Sequence, residues 1–190
     1  MTTTSNPTVF GGQLASGTYT LDPAHTRIGF VARHAMVTKV RGAFNEFEGT
    51  AVIDTENVAN SKAEVVIKTA SIDTRNEQRD GHLRTNDFLD IENHPEIRFS
   101  TSEVQLVEDD VVRLTGDLTI KGVSRPVSID FTFEGAATDP FGNERVGFEG
   151  SVVINRKDWG ITWNAALETG GVLVSDKITL EFEVSAIKTA

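Results

Sequence analysis

The sequence predicts an all-β fold, an extended antiparallel barrel of about eight strands with one short helical insertion. Two observations carry that expectation. Apolar residues recur at every second position through most of the chain, the period of a strand with one buried face. One segment, 75–88, loses that alternation. Closure into a barrel follows because it removes the open sheet edges through which such strands would aggregate.

Taken in order, residues 1–17 read as a flexible tail rich in Thr, Ser and Gly, in which Val9, Phe10 and Leu14 are the side chains able to dock. Residues 18–190 form the barrel domain. Strands are expected at Thr18–Leu21, Arg27–His34, Phe44–Ile53 and Ala63–Ile67. From Arg75 to Phe88 polar residues surround Leu83 and Phe88, which suggests helical turns ending before His94-Pro95. Further strands follow at Ile97–Val104, through Leu114, Leu118 and Ile120, and through Val127, Ile129, Phe131 and Phe133. The last two are joined by a connection read as Lys121–Pro126. Asp139–Asn143 is a turn cluster ahead of a strand at Phe148–Ile154. The clearest alternation comes last, with Ile178, Leu180, Phe182 and Val184 set against Lys177, Thr179, Glu181 and Glu183.

A formal net charge of −10 argues against nucleic acid as a partner, since phosphate recognition needs clustered Lys and Arg. It also disfavours electrostatic docking on anionic membranes. With no cysteine, disulfides, thiol catalysis and Cys-based zinc sites are excluded. No apolar run suits a signal peptide or a membrane span, so the expectation is a cytoplasmic protein without stable membrane insertion.

His25, His34, His82 and His94 match no metal-ligand spacing, and no catalytic triad, phosphate loop or carboxylate pair can be argued; neither metal nor cofactor is expected. The aromatic set is skewed, with 11 Phe against 2 Trp and 1 Tyr. Strand parity and that excess nominate Phe30, Phe44, Leu118, Ile120, Phe131, Phe133, Phe148 and Trp163 as the interior lining. His34, Arg156 and Trp159 are candidates for the mouth or for a ligand head group. Two roles fit Arg156: a head-group clamp, or a buried pair with Asp158 or another carboxylate, and the residues favour the pair. Barrels of this size are either filled by side chains or hold one small ligand, and periodicity leaves both open.

Several motifs, in order, resemble the YceI-like family of polyisoprenoid-binding proteins. They include Tyr19-Thr20-Leu21-Asp22-Pro23-Ala24-His25-Thr26, Asp80-Gly81-His82-Leu83, His94-Pro95-Glu96-Ile97-Arg98-Phe99 and Gly116-Asp117-Leu118-Thr119-Ile120-Lys121-Gly122. Asn155-Arg156-Lys157-Asp158-Trp159-Gly160 completes the series, with Trp159 where the common family motif has Phe. The resemblance implies a lipocalin-like barrel whose pore holds a long-chain isoprenoid or other lipid amphiphile, a polyprenyl or quinone-type molecule, for storage, sequestration or transport. Many family members carry a signal peptide, which is not visible here. The reading is therefore a binding protein and not an enzyme, and a homodimer is compatible with it. Two alternatives stay open: an enzyme acting on a bound isoprenoid or quinone, and a filled barrel serving as a stress-related interaction module.

Overall fold

A computed structural model describes residues 9–190. Its strands are β1 (Gly17–Leu21), β2 (Arg27–His34), β3 (Thr38–Phe44), β4 (Phe47–Ile53), β5 (Lys62–Lys68), β6 (Ile72–Asp73), β7 (Glu96–Glu108), β8 (Val111–Ile120), β9 (Val123–Thr138), β10 (Glu144–Asn155) and β11 (Lys177–Lys188). A short helix, α1 (Glu77–Leu83), separates β6 from β7. Eight strands in the order β1-β4-β5-β7-β8-β9-β10-β11 close into an antiparallel barrel through the β1–β11 pair. Strands β2, β3 and β6 continue the sheet from the remaining length of β11. The barrel is elongated: β9 alone has 16 residues, roughly 50 Å of strand at about 3.3 Å per residue.

Closure depends on how the chain passes from β1 to β2. Both lie along the same edge of β11, β1 ending at Leu21 opposite Ala186 and β2 beginning at Arg27 opposite Glu183. The Asp22 N–H still reaches the Ser185 carbonyl (2.8 Å), residues 23–25 loop out, and Thr26 fills the gap with its side chain. Its hydroxyl donates to the Ser185 carbonyl (2.9 Å) and accepts from the Ser185 N–H (3.0 Å). A threonine hydroxyl can do both, so the backbone groups at the seam stay satisfied. The looped-out turn is fastened by Arg145, which donates to Asp22 (2.6 Å) and to Asp139 (2.7 Å). His25 adds a 2.7 Å contact to Asp22.

Four details differ from the sequence reading. The strand expected over Phe44–Ile53 is two strands, because β3 pairs with β2 and β6 while β4 pairs with β1 and β5. The chain changes partners at Asn45-Glu46. The connection read as Lys121–Pro126 is only Lys121-Gly122, whose positive φ values (50° and 75°) close a two-residue hairpin. Pro126 then sits inside β9, beyond the last β9–β10 pair, Ser151–Asp130, so its missing N–H breaks no ladder bond on that side.

The third difference is at the N-terminus. Residues 9–17 are not a loose tail: Val9–Gly12 form a 3-10 turn, and Phe10 and Leu14 are buried. The Phe10 N–H donates to the Asp109 carbonyl in the β7–β8 turn (2.8 Å). Its ring packs edge-on against Phe133 and Phe148, with centroids 5.4 and 6.0 Å away. Residues 1–8, the rest of the tail expected to be flexible, lie outside the described residues.

At the other end the expected helical segment is shorter than 75–88. Asn76 caps α1 by accepting from the Arg79 N–H (3.0 Å), and the helix ends at Leu83. Asp80 is buried and accepts from both the backbone N–H (2.9 Å) and the hydroxyl (2.5 Å) of Thr74. Arg84 ties the helix to the carbonyls of Ala70 and Ile72, each at 3.1 Å. Leu83, Phe88 and Leu89 consequently face the barrel interior.

Replacing Thr26 by Val keeps the shape and removes the hydroxyl, leaving the Ser185 N–H without a partner. Guanidinium unfolding should show a loss of about 1–3 kcal/mol, with Thr26→Ser losing less. The Arg145 network should show a distinct pH signature. Hydrogen bonds from Arg145 and then His25 hold the Asp22 carboxyl below its usual range. At Asp139 burial acts upward, but donors from Arg145, Asn143 and Phe141 outweigh it and hold that carboxyl well down. Carboxyls depressed in the folded state stabilise it above their unfolded pKa, near about 3.9, and lose that effect as pH falls toward the folded value. The stability gap between the native protein and Arg145→Met should therefore be flat from neutral to mildly acidic pH and shrink below about pH 4.

Candidate ligand cavity

Inward-facing side chains of the barrel strands enclose a cavity of about 310 Å³, at the lower end of the range for small-molecule sites. It runs between two buried clusters. One, beside α1, contains Ile67, Ile97, Leu118, Phe88, Trp159 and Ile161. The other, under the N-terminal segment, contains Phe10, Leu14, Tyr19, Val104, Val112 and Val146. The wall between them is almost wholly hydrocarbon. Such a surface gains by exchanging water for apolar chain, and it offers little to a charged group.

Glycines let two of the lining rings lie close to the wall. Phe30 stands opposite Gly42, where a Cβ would come within 2.3 Å of the ring. Phe131 stands opposite Gly150, where it would come within 2.8 Å. Any side chain at either glycine would push an aromatic ring into the cavity.

Of the lining set nominated from sequence, Phe30, Phe44, Leu118, Ile120, Phe131 and Phe148 line the cavity. Phe133 and Trp163 do not. Phe133 shares the parity of Phe131 but lies farther along β9, where Phe10 covers it. Trp163 packs outside, against the His82 ring (4.6 Å) and Phe88 (5.3 Å). The list also omitted lining residues that the same parity exposes: Ile178, Leu180, Phe182 and Val184 of β11, and Phe99 of β7. Their alternation was the signal. Leu21, Val65 and Ile97 line it as well, as do Phe10 and Leu14 from the N-terminal segment.

The three residues nominated for the mouth fare differently. His34 is exposed at the outer end of β2, bridged to Val174 and away from the cavity wall. Trp159 is buried, its indole N–H donating to the Leu118 carbonyl at 2.8 Å. Arg156 is 4% exposed and reaches the cavity lining, but backbone oxygens hold its guanidinium. Nε donates to Ser175 (2.9 Å), and Nη1 donates to Ile161 (2.8 Å) and Trp163 (2.9 Å). Of the carboxylates the sequence left open, Asp158 or another, its neighbour is Asp176, at 3.8 Å and partly exposed. Burial pushes the guanidinium pKa down, and Asp176 opposes that shift. Arg156 is thus a strut that folds residues 160–176 across the end of the barrel. Spacing could not reveal this, because its partners are carbonyls, which carry no side-chain signature. Among the described residues two histidine–carboxylate contacts exist, His25–Asp22 (2.7 Å) and His82–Asp87 (2.8 Å), and none of these four residues belongs to the cavity wall.

Comparison with known proteins agrees with this architecture. The family model of the YceI-like domain matches residues 19–186. A UPF0312 protein of Staphylococcus epidermidis is 40% identical over 169 residues, covering 88% of this chain and 95% of its own. The Campylobacter jejuni YCEI protein, a solved structure, is 30% identical and superposes with a TM-score of 0.72 over 83% of this chain and 90% of its own. Two more distant structures share the fold. Burkholderia cenocepacia BcnA is 22% identical, with a TM-score of 0.77 over 87% of this chain and 98% of its own. A polyisoprenoid binding domain from Saccharophagus degradans is 14% identical, with a TM-score of 0.67 over 90% of this chain and 98% of its own.

Arg156→Met should leave three carbonyls, one buried and two partly buried, without their donor and cost about 1–3 kcal/mol or more in chemical denaturation. Arg156→Lys should recover little of it, since an ammonium on a flexible stem cannot reach the separated oxygens that the planar fork bridges.

Proposed function

Because the chain belongs to the YceI-like family, we propose that it binds a long-chain isoprenoid amphiphile, a polyprenyl or quinone-type lipid, in the barrel cavity for storage, sequestration or transport. The observation that carries this reading is the hydrocarbon wall itself. The shared fold of a polyisoprenoid binding domain supports the same ligand class. Each buried CH₂ contributes about 0.8 kcal/mol, so three or four isoprene units supply on the order of 12 kcal/mol before ordering costs.

Affinity then resides in the chain rather than in the head. Of the two cations that line the cavity, Arg156 already donates to backbone carbonyls and Lys62 is exposed to solvent. A head group would remain near solvent, and polar contacts would govern orientation more than affinity. The same features favour a binding protein over an enzyme, since the histidine–carboxylate pairs lie off the cavity wall.

Titration with a prenyl alcohol series should show affinity rising with each added isoprene unit and levelling once the cavity is full. A prenyl pyrophosphate should bind within about tenfold of the alcohol of equal length, because a tenfold change is only about 1.4 kcal/mol. Affinity independent of chain length, or binding confined to the pyrophosphate, would contradict the proposal.

A further inference from the structure

The β2–β3 hairpin carries a surface that the cavity does not explain. Its tip exposes Met36 (65%) and Val37 (76%). The Val37 N–H closes the turn on the His34 carbonyl (3.0 Å), and both central residues, Ala35 and Met36, have positive φ (51° and 62°). Glycine and asparagine are the residues that normally take this conformation. Two side chains are therefore held in a strained turn with an apolar tip facing solvent. Val172, 40% exposed, lies in the neighbouring loop, which is tied to the hairpin by the Ala35 N–H to the Leu173 carbonyl (2.8 Å).

Below the tip the charge pattern reverses that of the whole chain. Residues 33–41 contain Arg33, Lys39 and Arg41 and no acid, within a chain of net charge −10. The register pairs Arg33 with Lys39 and Val31 with Arg41, so the three cations share one face of the hairpin. That face is opposite to the one presenting Ile28 and Phe30 to the cavity. Among the described residues none of the three forms an ion pair. Like charges directly across an antiparallel ladder are destabilising, so fold stability does not account for them. Protection of an open sheet edge would account for Lys39 and Arg41 on β3, whose outer edge is paired only at Ala43 and Phe44. It does not account for Arg33, which lies on β2 between β3 and the 173–175 segment, nor for the apolar tip.

We propose that this hairpin docks the protein on an anionic lipid bilayer, Met36 and Val37 entering the interface while Arg33, Lys39 and Arg41 meet the head groups. A large apolar tip flanked by cations is the chemistry that such a surface recognises. Another exposed apolar tip, Phe141 (88%), sits beside Asp139 and Glu144 at the opposite end of the barrel and lacks that complement. Docking through the hairpin would bring the bilayer to the end closed by α1 and residues 160–176. This surface is independent of which lipid fills the cavity: vesicle binding by unloaded protein and lipid uptake from solution are separate measurements, and either can fail alone.

Cosedimentation of the full chain with vesicles of phosphatidylcholine, with and without phosphatidylglycerol, tests the assignment. Native protein should prefer the anionic vesicles, and added salt should weaken that preference. Arg33→Gln/Lys39→Gln/Arg41→Gln should lower partitioning on the order of 100-fold. A charge-matched control, Lys62→Gln/Lys68→Gln/Arg98→Gln, should change it far less. Met36→Ser/Val37→Ser should lower partitioning roughly 10-fold, whereas Phe141→Ser should leave it unchanged. Thermal midpoints should stay near native, confirming that each variant is folded. No preference for anionic vesicles, equal losses in the charge-matched control, or loss through Phe141→Ser would overturn the proposal. So would hairpin variants that alter the solution mass without altering vesicle binding, because the surface would then serve a second copy of the chain.

Discussion

One edge of β11 has to serve two strands, and the barrel closes only because the chain crosses that seam without leaving backbone groups unpaired. The Thr26 hydroxyl takes the place of a backbone residue, meeting both the N–H and the carbonyl of Ser185. Around it, Arg145 holds the looped-out turn against Asp139 in the β9–β10 connection, so two distant turns are fixed by one guanidinium. With the seam sealed, β1 completes the ring from β4 to β11. The branch made by β2, β3 and β6 can then extend past the barrel as an open hairpin.

Closure sets the chemistry of the interior. A ring of antiparallel strands satisfies its backbone within its own wall, so the side chains facing inward need supply no hydrogen bonds and can all be hydrocarbon. Two separate segments finish the enclosure. The N-terminal turn seats Phe10 over Phe133 and Phe148, while α1 and the segment braced by Arg156 cover the other end. The polar residues at the ends hold these covers in place, which leaves ligand affinity to the apolar wall.

Much of this was legible in the sequence where burial imposes a strict period. The apolar run Ile178–Val184 of β11 alternates with Lys177, Thr179, Glu181 and Glu183 because one face lines the cavity and the other does not. Strand β3 was less legible, since Thr38–Arg41 lies along an open edge and carries cations instead of an apolar repeat. Parity also gives the face of a strand and not the depth along it. Phe131 and Phe133 therefore read alike, although only Phe131 reaches the cavity. Phe10 had no period around it to betray its burial. The role of Arg156 was illegible for a different reason, since three oxygens from residues 161, 163 and 175 decide it and all belong to the backbone.

Whether the closed, apolar interior holds a lipid chain, as proposed, is tested most directly by the protein's own cargo. Native mass spectrometry of protein purified without detergent, followed by organic extraction of the same sample, would reveal what occupies the barrel. A lipid interior predicts a discrete mass increment in the intact spectrum and an isoprenoid of matching mass in the extract. An apo mass throughout, together with failure to take up any long-chain isoprenoid supplied afterwards, would contradict it.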